Sequence, residues 1–170
     1  MFLERDGVRL FYETQGKGDR SIVFVHGLMM THEVWRNQAA ALAEDFTVVT
    51  LDLRGFGDSD RPETPYTLET FSEDIHFLIQ TLKLERPVLV GWSMGVSIGM
   101  AYASWYPETI SRLVLVDGTP QFVASEDFPH AVPPEMAEQL VKGLQADFPA
   151  GARQFVELMF PETDADNIKD

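Results

Sequence analysis

The stretch that most restricts how this chain can fold is Gly91-Trp92-Ser93-Met94-Gly95. An apolar run, Pro87–Val90, stands immediately before it, and a helix-forming run follows it as far as Tyr106, where Pro107 stops the helix. A strand that turns at once into a helix leaves no room for side chains two residues either side of the turn, which accounts for the two glycines. The turn lifts the Ser93 hydroxyl above the strand end, at a helix N-terminus where the dipole and free N–H groups favour negative charge. Ser93 is therefore the candidate nucleophile, and the Met94 N–H a candidate donor to an oxyanion.

The rest of the chain supplies matching elements. Asp6-Gly7 divides Met1–Arg5 from Arg9–Thr14 and predicts a hairpin. Gly16-Lys17-Gly18-Asp19 reads as a second turn. Ser21–Val25 and Phe46–Leu51 are continuous apolar, β-branched runs, as in strands buried on both faces. Leu113–Val116 reads as another buried strand. The spacing predicts helices over 33–44 and over 68–84, the second with Thr67 as N-cap and Leu68, Phe71, Ile75, Leu78, Ile79 and Leu82 on one face. Strands alternating with helices give βαβ units, a mainly parallel sheet and helices on both faces: a three-layer α/β/α sandwich. After Pro120 the texture changes. Residues 121–170 carry ten acids against three bases and several prolines, without a strand-like run, and read as two or three helices outside the sheet.

Two further motifs sit at predicted strand ends. His26-Gly27 follows Ile22–Val25; the glycine permits close backbone approach, the Leu28 N–H is a candidate second oxyanion donor, and His26 reads as a structural histidine bonded within its loop. Asp52-Leu53-Arg54-Gly55-Phe56-Gly57-Asp58-Ser59 follows the strand ending at Leu51. It lacks the third glycine and the following helix of a dinucleotide loop, and reads instead as a charged turn organised by Asp52 and Arg54.

Taken in order and spacing with Arg112–Asp117, these motifs resemble the α/β-hydrolase superfamily, in particular its serine esterase, C–C hydrolase and cofactor-free haloperoxidase branch. The resemblance covers residues 1–120 as the N-terminal part of the hydrolase core. It implies Ser93 as nucleophile and the Leu28 and Met94 backbone amides as the oxyanion hole. A serine at this position points away from the dehalogenase and epoxide-hydrolase branches, which use an aspartate. Residues 121–170 look like the beginning of the family's helical cap.

The resemblance also implies an acid and then a histidine after the serine. The only histidine after Ser93 is His130, between Pro129 and Pro133, where it reads as a loop residue or a remote candidate for the base. His32 is a candidate for a base or substrate role. Asp117 is a candidate acid, or a residue that caps its strand end, and His76 reads as a surface residue on the 68–84 helix. The expectation is a serine hydrolase of small esters or related acyl compounds whose acid, histidine and last strands lie beyond residue 170, leaving this chain weakly active. The alternatives are a silent fragment or pseudoenzyme serving as a binding platform, and half of an enzyme completed by a second chain. In the family's strand order two more strands follow Leu113–Val116, so here that strand becomes an edge. It carries no lysine, proline or glycine to blunt pairing, which predicts association with a second copy or a complementing chain.

Composition narrows the partners. The net charge of −14 disfavours nucleic acid and anionic membrane surfaces and says little about a small-molecule substrate, which is what the resemblance implies. No cysteine is present, which excludes disulfides and a Cys nucleophile and fits a cytoplasmic protein; the N-terminus lacks the pattern of a signal peptide. No His/Asp/Glu cluster has metal-ligand spacing, so neither a metal nor another cofactor is implied.

Overall fold

A computed structural model describes residues 1–63 and 65–159. Its contacts divide the chain into two compact units, Met1–Pro120 and Gln121–Asp170. Strands β1 (Phe2–Arg5) and β2 (Val8–Gln15) form the predicted hairpin. Its turn has positive φ at both Asp6 (52°) and Gly7 (78°), the combination that suits the twist of a two-residue hairpin.

Four more strands complete one sheet: β3 (Arg20–Val25), β4 (Phe46–Leu51), β5 (Val88–Trp92) and β6 (Arg112–Val116). The order is β1-β2-β4-β3-β5-β6. β2 runs antiparallel to β4, whereas β4, β3, β5 and β6 are mutually parallel along the sheet. Period-2 alternation sends successive side chains to opposite faces. On one face Ile22, Phe24, Val48 and Val90 pack with Trp35 and Ala39, the latter from α1 (Arg36–Leu42). On the other, Val23, Val25, Val49, Leu51 and Leu89 pack with α2 (Leu68–Thr81) and α3 (Met94–Trp105) through Phe71, Ile75, Leu78, Ile98 and Tyr102. The fold is the predicted α/β/α arrangement, with a core on each face of the sheet.

Several boundaries differ from the sequence reading. The helix expected over 33–44 begins as a 3-10 turn, His32–Trp35, and ends at Leu42. The helix expected over 68–84 starts as read, with the Thr67 side chain accepting the Thr70 N–H, but ends at Thr81. Lys83 sits at φ 54°; its N–H donates to the Gln80 carbonyl and the Leu84 N–H to that of Ile79, a Schellman end with lysine where glycine is usual. β6 is not a buried strand. It lies at the sheet edge, with Val114 42%, Leu115 46% and Val116 37% exposed. His76 is not a plain surface residue either: its ring stacks on Tyr106 at 4.1 Å, and its Nδ1 lies 3.3 Å from the buried Tyr102 hydroxyl.

The second unit contains α4 (Pro134–Ala146) and α5 (Phe148–Met159), which pack on each other with Gly151 against Leu144, and a single bridge, Val123 to Val132. Any third helix in the expected segment would lie outside the described residues. Among the described residues no helix is long and apolar enough to cross a membrane.

Candidate active site

Ser93 occupies the junction between β5 and α3, with φ 54° and ψ −113°. This is a region that L-residues avoid, and such strain persists only where the surroundings enforce it. Here they do. The Ser93 N–H donates to the Val116 carbonyl of β6 at 3.1 Å, and the Ser93 carbonyl accepts the Val96 N–H at 2.9 Å. A Cβ on Gly91 would collide with the Gly95 carbonyl oxygen, and one on Gly95 would lie 2.6 Å from the Val25 carbonyl. Both glycines of the motif are thus required by backbone approach. The Ser93 side chain makes no capping bond to α3, although it stands at the cap position, so its hydroxyl is not spent on the helix.

The loop after β3 lies against this turn. A Cβ on Gly27 would stand 3.1 Å from the Ser93 Cβ and 3.3 Å from the Trp92 ring. Glycine therefore lets the 26–30 backbone come within van der Waals distance of the serine. Met29 holds φ 61°, and the Met30 N–H closes a turn onto the Gly27 carbonyl at 3.3 Å. Leu28, between them, is half-buried, as are Ser93 and Met94.

His26 is fully buried. The Leu53 N–H donates to its Nε2 at 3.1 Å, so Nδ1 carries the proton and donates to the Gly27 carbonyl at 2.8 Å. Burial pushes its pKa below the ordinary histidine value, keeping it neutral. This is the structural histidine read from the sequence, with both ring nitrogens occupied. Burial also lowers the pKa of His76.

The charged turn is organised by its two expected residues and by a third, Asp74 of α2, that the sequence did not reveal. The buried Asp52 carboxylate accepts the His32 N–H at 2.6 Å, His32 Nδ1–H at 3.0 Å and the Asp58 N–H at 2.9 Å. Buried Arg54 grips Asp74 with Nε at 2.6 Å and a terminal nitrogen at 2.7 Å, and Arg5 of the hairpin adds a bond at 3.0 Å. The only available signal for Asp74 was an acid on the inward side of an otherwise apolar helix face.

The remaining candidates are engaged elsewhere or belong to the second unit. His32 is tied to Asp52. His130 belongs to the second unit, where it is exposed and meets Phe128 edge-on. Asp117 ends β6 at φ 42°, and the chain after it passes over the turn: a Cβ on Gly118 would lie 2.6 Å from the Ser93 carbonyl, and Ser97 Oγ donates to the Thr119 carbonyl at 2.7 Å. Among the described residues no group of three His, Asp or Glu side chains is arranged to hold a metal ion.

The chain matches the family model for the alpha/beta hydrolase fold over residues 20–168. It is 33% identical to a putative non-heme chloroperoxidase from Synechocystis, over 90% of this chain and 56% of that protein. It is 34% identical to a soluble epoxide hydrolase from Corynebacterium, over 73% of this chain and 43% of the relative. An esterase from Exiguobacterium antarcticum superposes with a TM-score of 0.85 at 30% identity, covering 89% of this chain and 57% of its own. The chain thus spans about half the length of these relatives, which include a putative chloroperoxidase, an epoxide hydrolase and an esterase.

Proposed function

Because the chain belongs to the α/β-hydrolase fold family, we propose that it carries the nucleophile of a serine hydrolase acting on a small ester or related acyl compound. The observation that carries this reading is the strained Ser93 at the β5–α3 junction, with an uncommitted hydroxyl and the Gly27 backbone pressed against it. An ester substrate is in keeping with the solved esterase among the structures that superpose on the chain.

In this reading Ser93 Oγ attacks the acyl carbonyl, losing its proton to a base, and the carbonyl oxygen becomes an anion. The backbone N–H groups of Leu28 and Met94 receive that charge. The tetrahedral intermediate collapses to an acyl-serine and releases the alcohol, and water then frees the acid. In this reading no histidine of the first unit is the base. His26 has both nitrogens bonded, His76 stacks on Tyr106, and His32 is held by Asp52. The acid and histidine would then come from outside these residues, and the second unit would be the beginning of a cap. A second reading, completion by another chain in trans, is favoured by the exposed apolar strand β6.

Hydrolysis of p-nitrophenyl acetate by the 170-residue chain tests the proposal. Loss of a triad base leaves turnover on the order of 10⁴–10⁶-fold below a complete enzyme. Slow hydrolysis with acetyl captured on Ser93, read by peptide mass spectrometry, is the expected result; acetyl on other residues and none on Ser93 refutes it, and the rate does not decide, because a triad without its base loses little more in Ser93→Ala. Turnover at ordinary enzyme rates would instead place a base among these residues.

A further inference from the structure

We propose that His32 and Asp52 form a positioning clamp that fixes the 26–32 loop against Ser93, and that His32 is not the base for that serine. The inference rests on the reading of Ser93 and Leu28 given above and assigns the residues that hold their geometry.

The loop is tied at both ends to neighbouring residues of one strand terminus. At its start, His26 Nε2 receives the Leu53 N–H. At its end, the Asp52 carboxylate receives both the backbone N–H and the ring Nδ1–H of His32 on the same oxygen, Oδ1. Between the two ties lie Gly27, against the Ser93 Cβ, then Leu28, then Met29 in the left-handed region. A left-handed non-glycine residue is costly, and it persists only when the flanking structure holds it there.

Asp52 is suited to this task. Its carboxylate is fully buried, so every lone pair left without a donor would cost free energy. The other oxygen takes the Asp58 N–H, and a Cβ on Gly57 would collide with the carboxylate, so the 52–59 turn wraps the group closely. One buried anion thereby joins the loop beside the serine to the turn after β4.

The same contacts argue against His32 as a base. Its Nδ1 is committed to Asp52, and Phe11 packs on the ring at 4.8 Å. Its other nitrogen lies 3.9 Å from Glu13 Oε1. The cavity that His32 lines, about 240 Å³, is bounded by Glu13, Gln15, Arg36 and Thr50 and by no residue of the 91–95 turn.

The test uses the 170-residue chain with His32→Leu, which keeps the backbone bond to Asp52 but removes the ring donor, and His32→Asn, which returns an N–H donor at similar reach without a base. Two readouts are taken: the amide NMR signals of Leu28, Met29 and Met30, and acetylation of Ser93 by p-nitrophenyl acetate, read by mass spectrometry. In His32→Leu the three amide signals should move or broaden, and acetylation of Ser93 should fall on the order of tenfold to a hundredfold, as for a small misplacement of reacting groups. His32→Asn should restore both. Unmoved amide signals in His32→Leu overturn the clamp. So does acetylation that fails equally in His32→Asn and His32→Leu while His32→Asn keeps the wild-type amide signals, because then the imidazole itself is required. If Ser93 takes no acetyl in the parent chain, the proposed function fails, and the amide signals still decide the clamp.

Discussion

Ser93 holds a backbone conformation that costs free energy, and the cost has no structural purpose of its own. With φ 54° and ψ −113°, the residue sits where only glycine is comfortable. Glycine at this position would relieve about 1–3 kcal/mol of strain, offset by roughly 0.4–1 kcal/mol of extra unfolded-state entropy. Ser93→Gly is therefore expected to raise stability by about 1 kcal/mol in urea unfolding, and Ser93→Ala to leave it unchanged. Equal stability in the two variants would mean that the strain is absent in solution. The position of Ser93 was legible because five residues with a strand before and a helix after admit few backbones. The two ties of its neighbouring loop were not, because they join residues 26 and 32 to residues 53 and 52, separations that no local pattern records.

At the scale of elements, the sheet and its helices follow from apolar periodicity, and the discrepancies arise where a tertiary contact or an atypical residue decides. Lys83 ended α2 in a role usually marked by glycine, so the helix appeared longer in sequence. His76 was read as a surface residue because the ring that covers it, Tyr106, comes from the end of another helix. Asp74 is the clearest case. It is fully buried, it receives two bonds from Arg54 and one from Arg5, and it joins α2 to the charged turn and to the hairpin. A buried ion pair adds little over an apolar substitute, but removing one partner leaves the other charge uncompensated. Asp74→Ala should cost about 3–5 kcal/mol in urea unfolding, because buried Arg54 loses its carboxylate. A loss below about 1 kcal/mol would show that Arg54 reaches water or another acid instead.

At the scale of the whole molecule, the uncovered side of the sheet matters most. β6 presents Val114, Leu115 and Val116 at an edge, and the nearby outer face of α3 exposes Met100 and Trp105. An unpaired apolar edge without lysine, proline or a bulge invites a further strand. The 170-residue chain should therefore self-associate at low micromolar concentration in sedimentation, and Leu115→Lys should shift it toward monomer. A clean monomer with a sharp, cooperative thermal transition contradicts that expectation. The sheet, the two glycines and the loop tied at 52 and 53 all converge on one hydroxyl, and the most direct measurement of that claim is covalent trapping. Incubated at length with excess fluorophosphonate, since a serine without its base reacts slowly, and mapped by peptide mass spectrometry, the chain should carry its adduct on Ser93, and Ser93→Ala should carry none. An adduct elsewhere, or labelling that persists undiminished in Ser93→Ala, would contradict the account.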